Sequence, residues 1–185
     1  MHVSNVVCQE SGCATIGSIG SNAGQPDIVE NIVFKNITCK HSSNAAWIKT
    51  YAGTGRVRNV TFEDIVVDDV DQPIYVTPCI YGSGRCDSSR LSISDVTWRN
   101  VTGTARYNVA VGIHCSAASP CTGFKFENID IKAKGGGAPK ILCSNIANQA
   151  TSGLKCTGTC PADWPQQLRG NKRRDADLSP NVDEG

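Results

Sequence analysis

At 185 residues, of which 39% are hydrophobic, the chain is long enough to form one domain with its own core. Its formal net charge of +1 gives no electrostatic reason to expect a nucleic acid or an anionic membrane surface as a partner. No apolar run approaches the roughly 20 residues of a membrane-spanning helix, so neither charge nor hydropathy predicts contact with a membrane.

One strand pattern recurs along the chain. Four complete copies begin at positions 31, 59, 95 and 123, which are 28, 36 and 28 residues apart, and residues 1–6 fit a truncated fifth copy. Each copy alternates apolar and polar residues with a period of two, which predicts a β-strand. An Asn or Asp recurs at one place in the pattern, at Asn5, Asn36, Asp64, Asn100 and Asn128.

A second short strand is predicted after each copy. The five segments share an alternating pattern and are 14–18, 46–50, 74–77, 111–115 and 140–143. Short strands at a regular spacing, with glycine-containing turns and no helical pattern between them, predict an all-β parallel β-helix, a solenoid. The alternative is an antiparallel β-sandwich, which would rarely repeat one motif at the same offset.

The ten cysteines indicate disulfides and therefore a secreted, extracellular protein. The sequence has no Cys-x-x-Cys pair and no histidine at zinc spacing, so we expect neither a metal site nor a cofactor. Two short loops are each bracketed by cysteines, which predicts the pairs Cys79–Cys86 and Cys115–Cys121. Asn-x-Thr sequons predict glycosylation sites at Asn36, Asn59 and Asn100.

The solenoid pattern ends near Cys160 and divides the chain in two. Residues 1–160 are predicted to form the coils of one domain. Residues 161–185, with few apolar side chains and a basic run at 172–174, are predicted to form a disordered tail. The first residues have the pattern of a strand and not of a secretory signal peptide. We therefore expect a fragment of a longer secreted protein, or a gene model that starts late.

The coil strands, the turn at 17–20, the Ile48-Lys49 pair and the two small cysteine loops together resemble a known family. They are similar to the C-terminal half of the fungal polygalacturonase and rhamnogalacturonan hydrolase family, glycoside hydrolase family 28, over about residues 1–160. The resemblance implies a right-handed parallel β-helix, truncated at its N-terminal side, with a substrate cleft along one sheet. It also implies a Cys143–Cys156 disulfide and an unpaired Cys8, whose family partner lies in a motif that this chain lacks.

The family's cleft motifs identify the expected site. Polygalacturonases carry Asn-Thr-Asp, Asp-Asp, Gly-His-Gly and Arg-Ile-Lys in that order, and the first two supply the catalytic acids. Neither acid motif occurs in this chain, so no catalytic residue is expected in it. The third motif aligns with the small-residue stretch at 11–20 and places Gly12 at the histidine. The fourth aligns with Trp47-Ile48-Lys49, and a family tyrosine aligns near Gln72. The missing histidine and arginine favour the rhamnogalacturonan-acting branch, including exo-acting members and α-rhamnosidases.

Trp47 and Lys49 also have a physical reason to bind a sugar. Strand alternation places them on one face and Ile48 on the other. A lysine can bind a uronate carboxylate, and an exposed tryptophan can stack on a sugar ring. The predicted substrate-binding residues are therefore Trp47, Lys49 and, by the resemblance, Gln72. The alternatives are a core tryptophan and an ordinary surface lysine.

Other candidates for chemistry have weaker support. The acidic run Asp68-Asp69-Val70-Asp71 could form an acid pair or a calcium site, although Asp is also favoured where a strand turns. Glu10 lies just before the third cleft motif and could touch substrate. For the histidines, which have no paired nucleophile, structural or solvated roles are expected; they are His2, His41 and His114.

The resemblance implies that the intact parent protein is a pectin-degrading glycoside hydrolase acting on rhamnogalacturonan or polygalacturonan by an inverting mechanism. In such a mechanism one carboxylic acid protonates the leaving oxygen, and carboxylates about 6.5–9.5 Å away activate a water. The expected partner is a pectic polysaccharide, and a monomer is expected. The chain alone is expected to be inactive. The alternative function is that of a non-catalytic β-helical protein that binds carbohydrate or acts in adhesion.

Overall fold

A computed structural model describes residues 1–22, 24–78, 80 and 86–161 of the chain. This part consists of β-strands, connecting turns and two single-turn 3-10 helices, at Cys86–Ser88 and Gln149–Thr151. The strands, in chain order, are β1 His2–Gln9, β2 Gly12–Ile19, β3 Asp27–Lys40, β4 Asn44–Thr50, β5 Gly55–Val70, β6 Gln72–Thr77, β7 Ser92–Ala105, β8 Val109–His114, β9 Lys125–Ala133, β10 Lys140–Ser144 and β11 Gly158–Thr159.

These strands form two parallel β-sheets. The long-strand sheet has five strands in the order β1-β3-β5-β7-β9, and the short-strand sheet has six in the order β11-β10-β8-β6-β4-β2. Each strand therefore pairs in parallel with the equivalent strand of the next coil. The prediction of an all-β parallel solenoid is confirmed, and the antiparallel sandwich is excluded.

The aromatic position of the sequence repeat forms a ladder of stacked rings in the core. Phe34 lies opposite Phe62, Phe62 opposite Trp98, and Trp98 opposite Phe126. Consecutive ring centroids are 5.2, 5.8 and 4.6 Å apart, and the rings are nearly parallel. Phe62 and Trp98 are completely buried. The sequence repeat is thus a repeat of core contacts, in which each coil covers the apolar side of the next.

The recurrent Asn or Asp marks a bend within each long strand. Asn36 and Asn100 have left-handed φ angles of 54° and 53°, a conformation that Asn and Asp adopt more readily than most residues. Asn36 Nδ2 donates a hydrogen bond to Asn5 Oδ1 at 2.7 Å, and Asn100 Nδ2 donates to Asp64 Oδ1 at 2.8 Å. Strand pairing continues through these bends, so β3 and β5 run to 14 and 16 residues and are longer than the pattern that predicted them.

All three sequon asparagines belong to such side-chain ladders. Asn59 has a left-handed φ of 54°, and its Nδ2 donates to Asn31 Oδ1 at 2.6 Å. Asn36 and Asn59 are exposed, whereas Asn100 is half-buried. The sequons therefore coincide with bend positions that the fold requires, and their use as glycosylation sites stays a prediction.

Disulfides link neighbouring coils and close short loops. The pairs among the described residues are Cys13–Cys39, Cys115–Cys121 and Cys143–Cys156. The second and third are the pairs expected from loop spacing and from the family resemblance. The predicted Cys79–Cys86 pair involves Cys79, which lies outside the described residues. Cys8 has no disulfide partner in the described part of the chain.

Three further expectations concern the C-terminal tail, a membrane-spanning helix and a metal site. The predicted disordered tail lies, apart from Pro161, outside the described residues. Among the residues that are described, no helix is long and apolar enough to cross a membrane. The same residues contain no group of three or more His, Cys, Asp or Glu side chains that could hold a metal ion.

Candidate functional site

The outer face of the short-strand sheet carries Trp47 and Lys49. In β4, Ala46 and Ile48 point into the core and are completely buried, whereas Trp47 and Lys49 are half-buried on the opposite face. Lys49 Nζ lies 4.5 Å from the centroid of the Trp47 ring. This geometry is a cation–π contact, in which the ammonium group lies over the face of the aromatic ring.

The Trp47 ring is supported from the next coil by Tyr75, a residue that sequence reasoning missed. The two lie opposite each other in β4 and β6, with ring centroids 5.5 Å apart and an interplanar angle of 22°. Tyr75 is 1% exposed, so its ring supports one face of the Trp47 indole and is not itself accessible to a ligand. The alternation Ile74-Tyr75-Val76 repeats that of Ala46-Trp47-Ile48, and this shared pattern was the available signal.

The structure explains why position 17, within the small-residue stretch at 11–20, is a glycine. Gly17 has a φ of 115°, and a Cβ built on it would overlap the backbone carbonyl of Lys49 and come 2.8 Å from Lys49 Cγ. The lysine side chain therefore starts directly against the bare backbone of β2. Only glycine both adopts this φ and leaves room for the Lys49 stem.

Exposure along the outer face falls sharply from one coil to the next. Gly17 and Ser18 of β2 are exposed, and Trp47 and Lys49 of β4 are half-buried. Thr77 of β6, which lies opposite Lys49, is 1% exposed. His114 of β8, the next strand of the sheet, is buried as well. The outer face is thus open over β2 and β4 and closed from β6 onward.

Three residues close this face over β8; we call His114, Asp87 and Cys160 the wall. His114 is 5% exposed. Its Nδ1 lies 3.0 Å from the Cys160 carbonyl oxygen, and its Nε2 lies 3.0 Å from Asp87 Oδ1. The Cys160 carbonyl also accepts from Ser144 Oγ at 2.7 Å, and Asp87 Oδ1 accepts from the Ala117 amide at 3.2 Å. His114 therefore has the structural role that was expected of it, because it ties separate segments to the sheet.

The remaining predicted cleft residues lie at the starts of the short strands. Gly12 is exposed and lies opposite Asn44, which in turn lies opposite Gln72. The structure does not bring Gln72 beside Lys49, because Lys49 is paired with Thr77. The indole Nε1 of Trp47 is buried and has no hydrogen-bond acceptor among the described residues.

The acidic run at 68–71 forms an ion-pair network. Asp69 Oδ2 lies 3.0 Å from an Arg106 guanidinium nitrogen, and Arg106 also binds Asp71 Oδ1 at 2.9 Å. Hydrogen bonding to Arg106 lowers the pKa of Asp69 from 3.8 to about 2, with burial opposing this and with His41 and Lys134 adding to it. A carboxyl group held ionised in this way cannot serve as the general acid of a hydrolase.

The other candidates are separate from the Trp47 and Lys49 pair. His41 Nδ1 lies 3.3 Å from Asp69 Oδ2, so this histidine belongs to the ion-pair network. Glu10 is an exposed bend residue with a φ of 53°, and its amide donates to the Lys40 carbonyl at 3.0 Å. His2 is exposed on β1, at the edge of the long-strand sheet. Nothing in their surroundings assembles a second site.

Comparison with known proteins agrees with this architecture. The model of glycosyl hydrolases family 28 matches residues 1–154. The chain is 36% identical to an exopolygalacturonase of Cochliobolus carbonum, covering 84% of this chain and 39% of that protein. It is 39% identical to an exopolygalacturonase of Rhizopus delemar, covering 70% and 36% respectively. The chain thus spans less than two fifths of the length of these relatives.

A solved structure shows the same fold. The endo-xylogalacturonan hydrolase of Aspergillus tubingensis matches 86% of this chain and 44% of its own chain, with a TM-score of 0.75 and 27% identity. The matching fold and the family model that spans 1–154 lead to one conclusion. The chain belongs to glycosyl hydrolases family 28.

Proposed function

We propose that this chain forms part of the substrate groove of a secreted, pectin-degrading glycoside hydrolase, and that Trp47 and Lys49 bind a galacturonate residue. One observation carries the proposal: the Lys49 ammonium lies over the Trp47 ring and makes no ion pair with a carboxylate of the described residues. Tyr75 stacks on one face of the indole, and the Lys49 ammonium lies over the ring. A uronate sugar matches this pair if its carboxylate draws the ammonium off the ring, because its apolar face can then stack on the indole face that Tyr75 leaves uncovered. The disulfides of the described residues support an extracellular location.

Two polysaccharide backbones are candidates for the substrate, galacturonan and rhamnogalacturonan. The names of the relatives describe exopolygalacturonases and a xylogalacturonan hydrolase, which supports a galacturonan backbone. Gly12 at the family's histidine position and Trp47 at its arginine position support a rhamnogalacturonan backbone. Both polymers contain the carboxylate that Lys49 would bind, so an assay on this protein needs both.

The closed side of the outer face supports exo action. A sugar ring stacked on Trp47 meets buried Tyr75 and Thr77 in the direction of β6, while β2 on the other side is open. A polysaccharide could therefore extend from Trp47 toward β2 but not past the wall. This predicts that the end of a sugar chain, and not its middle, occupies the Trp47 position.

The described residues supply binding and not the acid chemistry. The residues paired with Trp47 and Lys49 are Thr15, Tyr75 and Thr77, none of which carries a carboxylate. An inverting hydrolase needs carboxylates on both sides of the scissile bond, about 6.5–9.5 Å apart. We propose that in the parent protein these groups stand on coils stacked beyond β2, on the open side of the groove. A non-catalytic carbohydrate-binding role is the second candidate, favoured by the same lack of an acid pair beside Lys49.

Calorimetric titration with trigalacturonate tests the binding site. We expect Lys49→Met to weaken binding by about 10- to 100-fold, the value of one charge-assisted hydrogen bond. Trp47→Ala should weaken it by roughly 3- to 10-fold through loss of stacking. Lys125→Met, at an exposed position of β9 in the other sheet, is the matched control and should bind as the wild type does. Equal affinity of Lys49→Met and the control would exclude Lys49 as the uronate ligand.

The direction of the groove can be tested with end-labelled sugars. Two oligogalacturonates are compared, one with a bulky label on its reducing end and one with the same label on its non-reducing end. The label should abolish binding on whichever end faces the wall and should be tolerated on the other. Equal binding of both labelled sugars would contradict exo action. Release of reducing ends by the 185-residue chain would contradict the expectation that it is inactive alone.

A further inference from the structure

His114 holds the wall together through both nitrogens of its ring. Nδ1 lies 3.0 Å from the Cys160 carbonyl oxygen, and Nε2 lies 3.0 Å from Asp87 Oδ1. A carbonyl oxygen only accepts hydrogen bonds, so Nδ1 carries a proton and donates it to Cys160. The state of Nε2 is then decided by what Asp87 Oδ1 can offer it.

The other contacts of Asp87 Oδ1 identify this oxygen as an acceptor. The Ala117 amide donates to it at 3.2 Å, and Asn145 Nδ2 donates to it at 3.4 Å. An oxygen that already receives two N–H groups is poorly placed to carry a proton of its own and donate it to His114. Nε2 therefore donates as well, and an imidazole that donates from both nitrogens is positively charged.

We propose that the charged form of His114 closes the wall, and that His114 is a positioning residue that releases the wall when it gives up a proton. The proton passes to solvent, and no covalent bond changes. With one ring proton left, either Cys160 or Asp87 faces a nitrogen lone pair in place of a donor. One of the two segments that His114 ties to β8 then loses its hydrogen bond.

The surroundings of the ring fit a paired cation. The His114 side chain is 6% exposed and that of Asp87 is 53% exposed, so the ring is shielded while its partner reaches solvent. Among the described residues, Asp87 supplies the only carboxylate in contact with the ring. Ser144, which lies opposite His114 in β10, and Thr77 of the neighbouring β6 carry no charge. A buried cation is stable only when it is paired, so the charge of His114 depends on Asp87.

The third member of the wall is held by its backbone and not by its side chain. Cys160 Sγ is directed to the Pro161 carbonyl oxygen, 3.9 Å away, and its own carbonyl accepts from both His114 and Ser144. Because the closed wall contains the charged form of His114, the wall is complete at acid pH and is lost as the pH rises.

The wall covers the ring that supports Trp47. Cys160 packs with Tyr75 in one buried cluster, and Trp47 lies against the same cluster. Release of the Cys160 segment would uncover Tyr75 and open the closed side of the outer face. This consequence for a sugar chain rests on the proposed function, whereas the charge of His114 does not. The requirement for a chain end should then be strict at pH 5 and weaker at pH 8.5.

NMR of the full chain labelled with nitrogen-15 tests the charge and the wall together. Ring nitrogens and backbone amides are followed from pH 5 to pH 8.5. We expect both His114 nitrogens to carry protons at pH 5. The amides of Ala117 and Ala118 both donate to Asp87. Their protection factors against hydrogen exchange should fall by about fivefold or more at the pH at which the ring loses a proton, the effect of one lost hydrogen bond.

Two outcomes of this experiment would overturn the proposal. One is a His114 ring with a single proton at pH 5. The other is unchanged protection of the Ala117 and Ala118 amides while the ring loses its second proton.

Three variants separate a charge-dependent wall from a merely structural histidine. His114→Gln cannot become charged, so the Ala117 and Ala118 amides should show no such pH-dependent loss in it; a loss as large as in the wild type would refute the role of His114. Asp87→Asn should release the second ring proton at a lower pH than the wild type does. His2→Gln, at an exposed position of β1, is the matched control and should retain the wild-type behaviour.

The two end-labelled oligogalacturonates then test the groove. The wild type should discriminate between them at pH 5 and discriminate less at pH 8.5, whereas His114→Gln should show the same discrimination at both values. Constant discrimination by the wild type, while its amides lose protection, would overturn the link between the wall and the chain end. If neither sugar binds at either pH, the proposed function fails, and the ring and amide measurements still decide whether His114 closes the wall.

Discussion

Replacement of Gly17 by alanine tests whether Lys49 packs against the bare backbone of β2 at position 17. At a φ of 115°, an alanine is strained by about 1–3 kcal/mol from the backbone alone. Its Cβ would also overlap the Lys49 carbonyl, which is backbone and cannot move without shifting β4. We therefore expect the free energy of unfolding, measured in urea, to fall by about 3 kcal/mol or more.

Gly12→Ala is the matched control in the same strand. A Cβ on Gly12 would have Thr15 Oγ1 as its nearest neighbour, at 3.9 Å, which is an ordinary contact distance. This variant should lie within about 0.5 kcal/mol of the wild type. Trigalacturonate binding should be weakened in Gly17→Ala, because Lys49 is displaced, and unchanged in Gly12→Ala. Equal stability of the two variants would refute the packing of Lys49 against Gly17.

Two predictions concern the frame of the solenoid. Because the pKa of Asp69 is lowered to about 2 from 3.8, its stabilising contribution is complete above pH 3.8 and is lost as the pH falls through about 2. Urea titrations should show that Asp69→Asn is less stable than the wild type by about 1–2 kcal/mol at pH 6 and by less than half of that at pH 2, where the carboxyl is about half protonated; an equal difference at both values would contradict the network. In the bend ladder, Asn100→Gly should cost about 2 kcal/mol for the two hydrogen bonds that its side chain makes with Asp64 and Asn128, and Asn100→Ala about 1–2 kcal/mol more for its left-handed φ. Equal stability of these two variants would show that the bend is not strained for alanine.

The sequence predicted the solenoid because its local patterns repeat. The aromatic position of Phe62 and the bend position of Asn100 recur once per coil, and a repeated offset is what stacked coils require. Alternation likewise placed Trp47 and Lys49 on one face. In these cases neighbouring residues along the chain were sufficient, because the periodicity of a strand fixes the direction of each side chain.

Contacts between coils were beyond the reach of local pattern. The Cys13–Cys39 bond depends on how β2 of one sheet lies against β3 of the other, and ten cysteines allow too many pairings for spacing to choose among them. The wall joins His114 to Cys160, which is 46 residues away. The alternation of β6 places Tyr75 on the same face as that of Trp47 in β4, but its position directly beside Trp47 follows from pairing across coils.

The central claim is that Trp47 and Lys49 hold a galacturonate residue at the end of a sugar chain. The most direct measurement is a crystal structure of the chain with trigalacturonate bound. We expect a sugar carboxylate oxygen about 2.7–3.2 Å from Lys49 Nζ, with that ring stacked on Trp47 and the rest of the sugar extending over β2. A trisaccharide bound away from Lys49, or lying across β6 past the wall, would contradict the account.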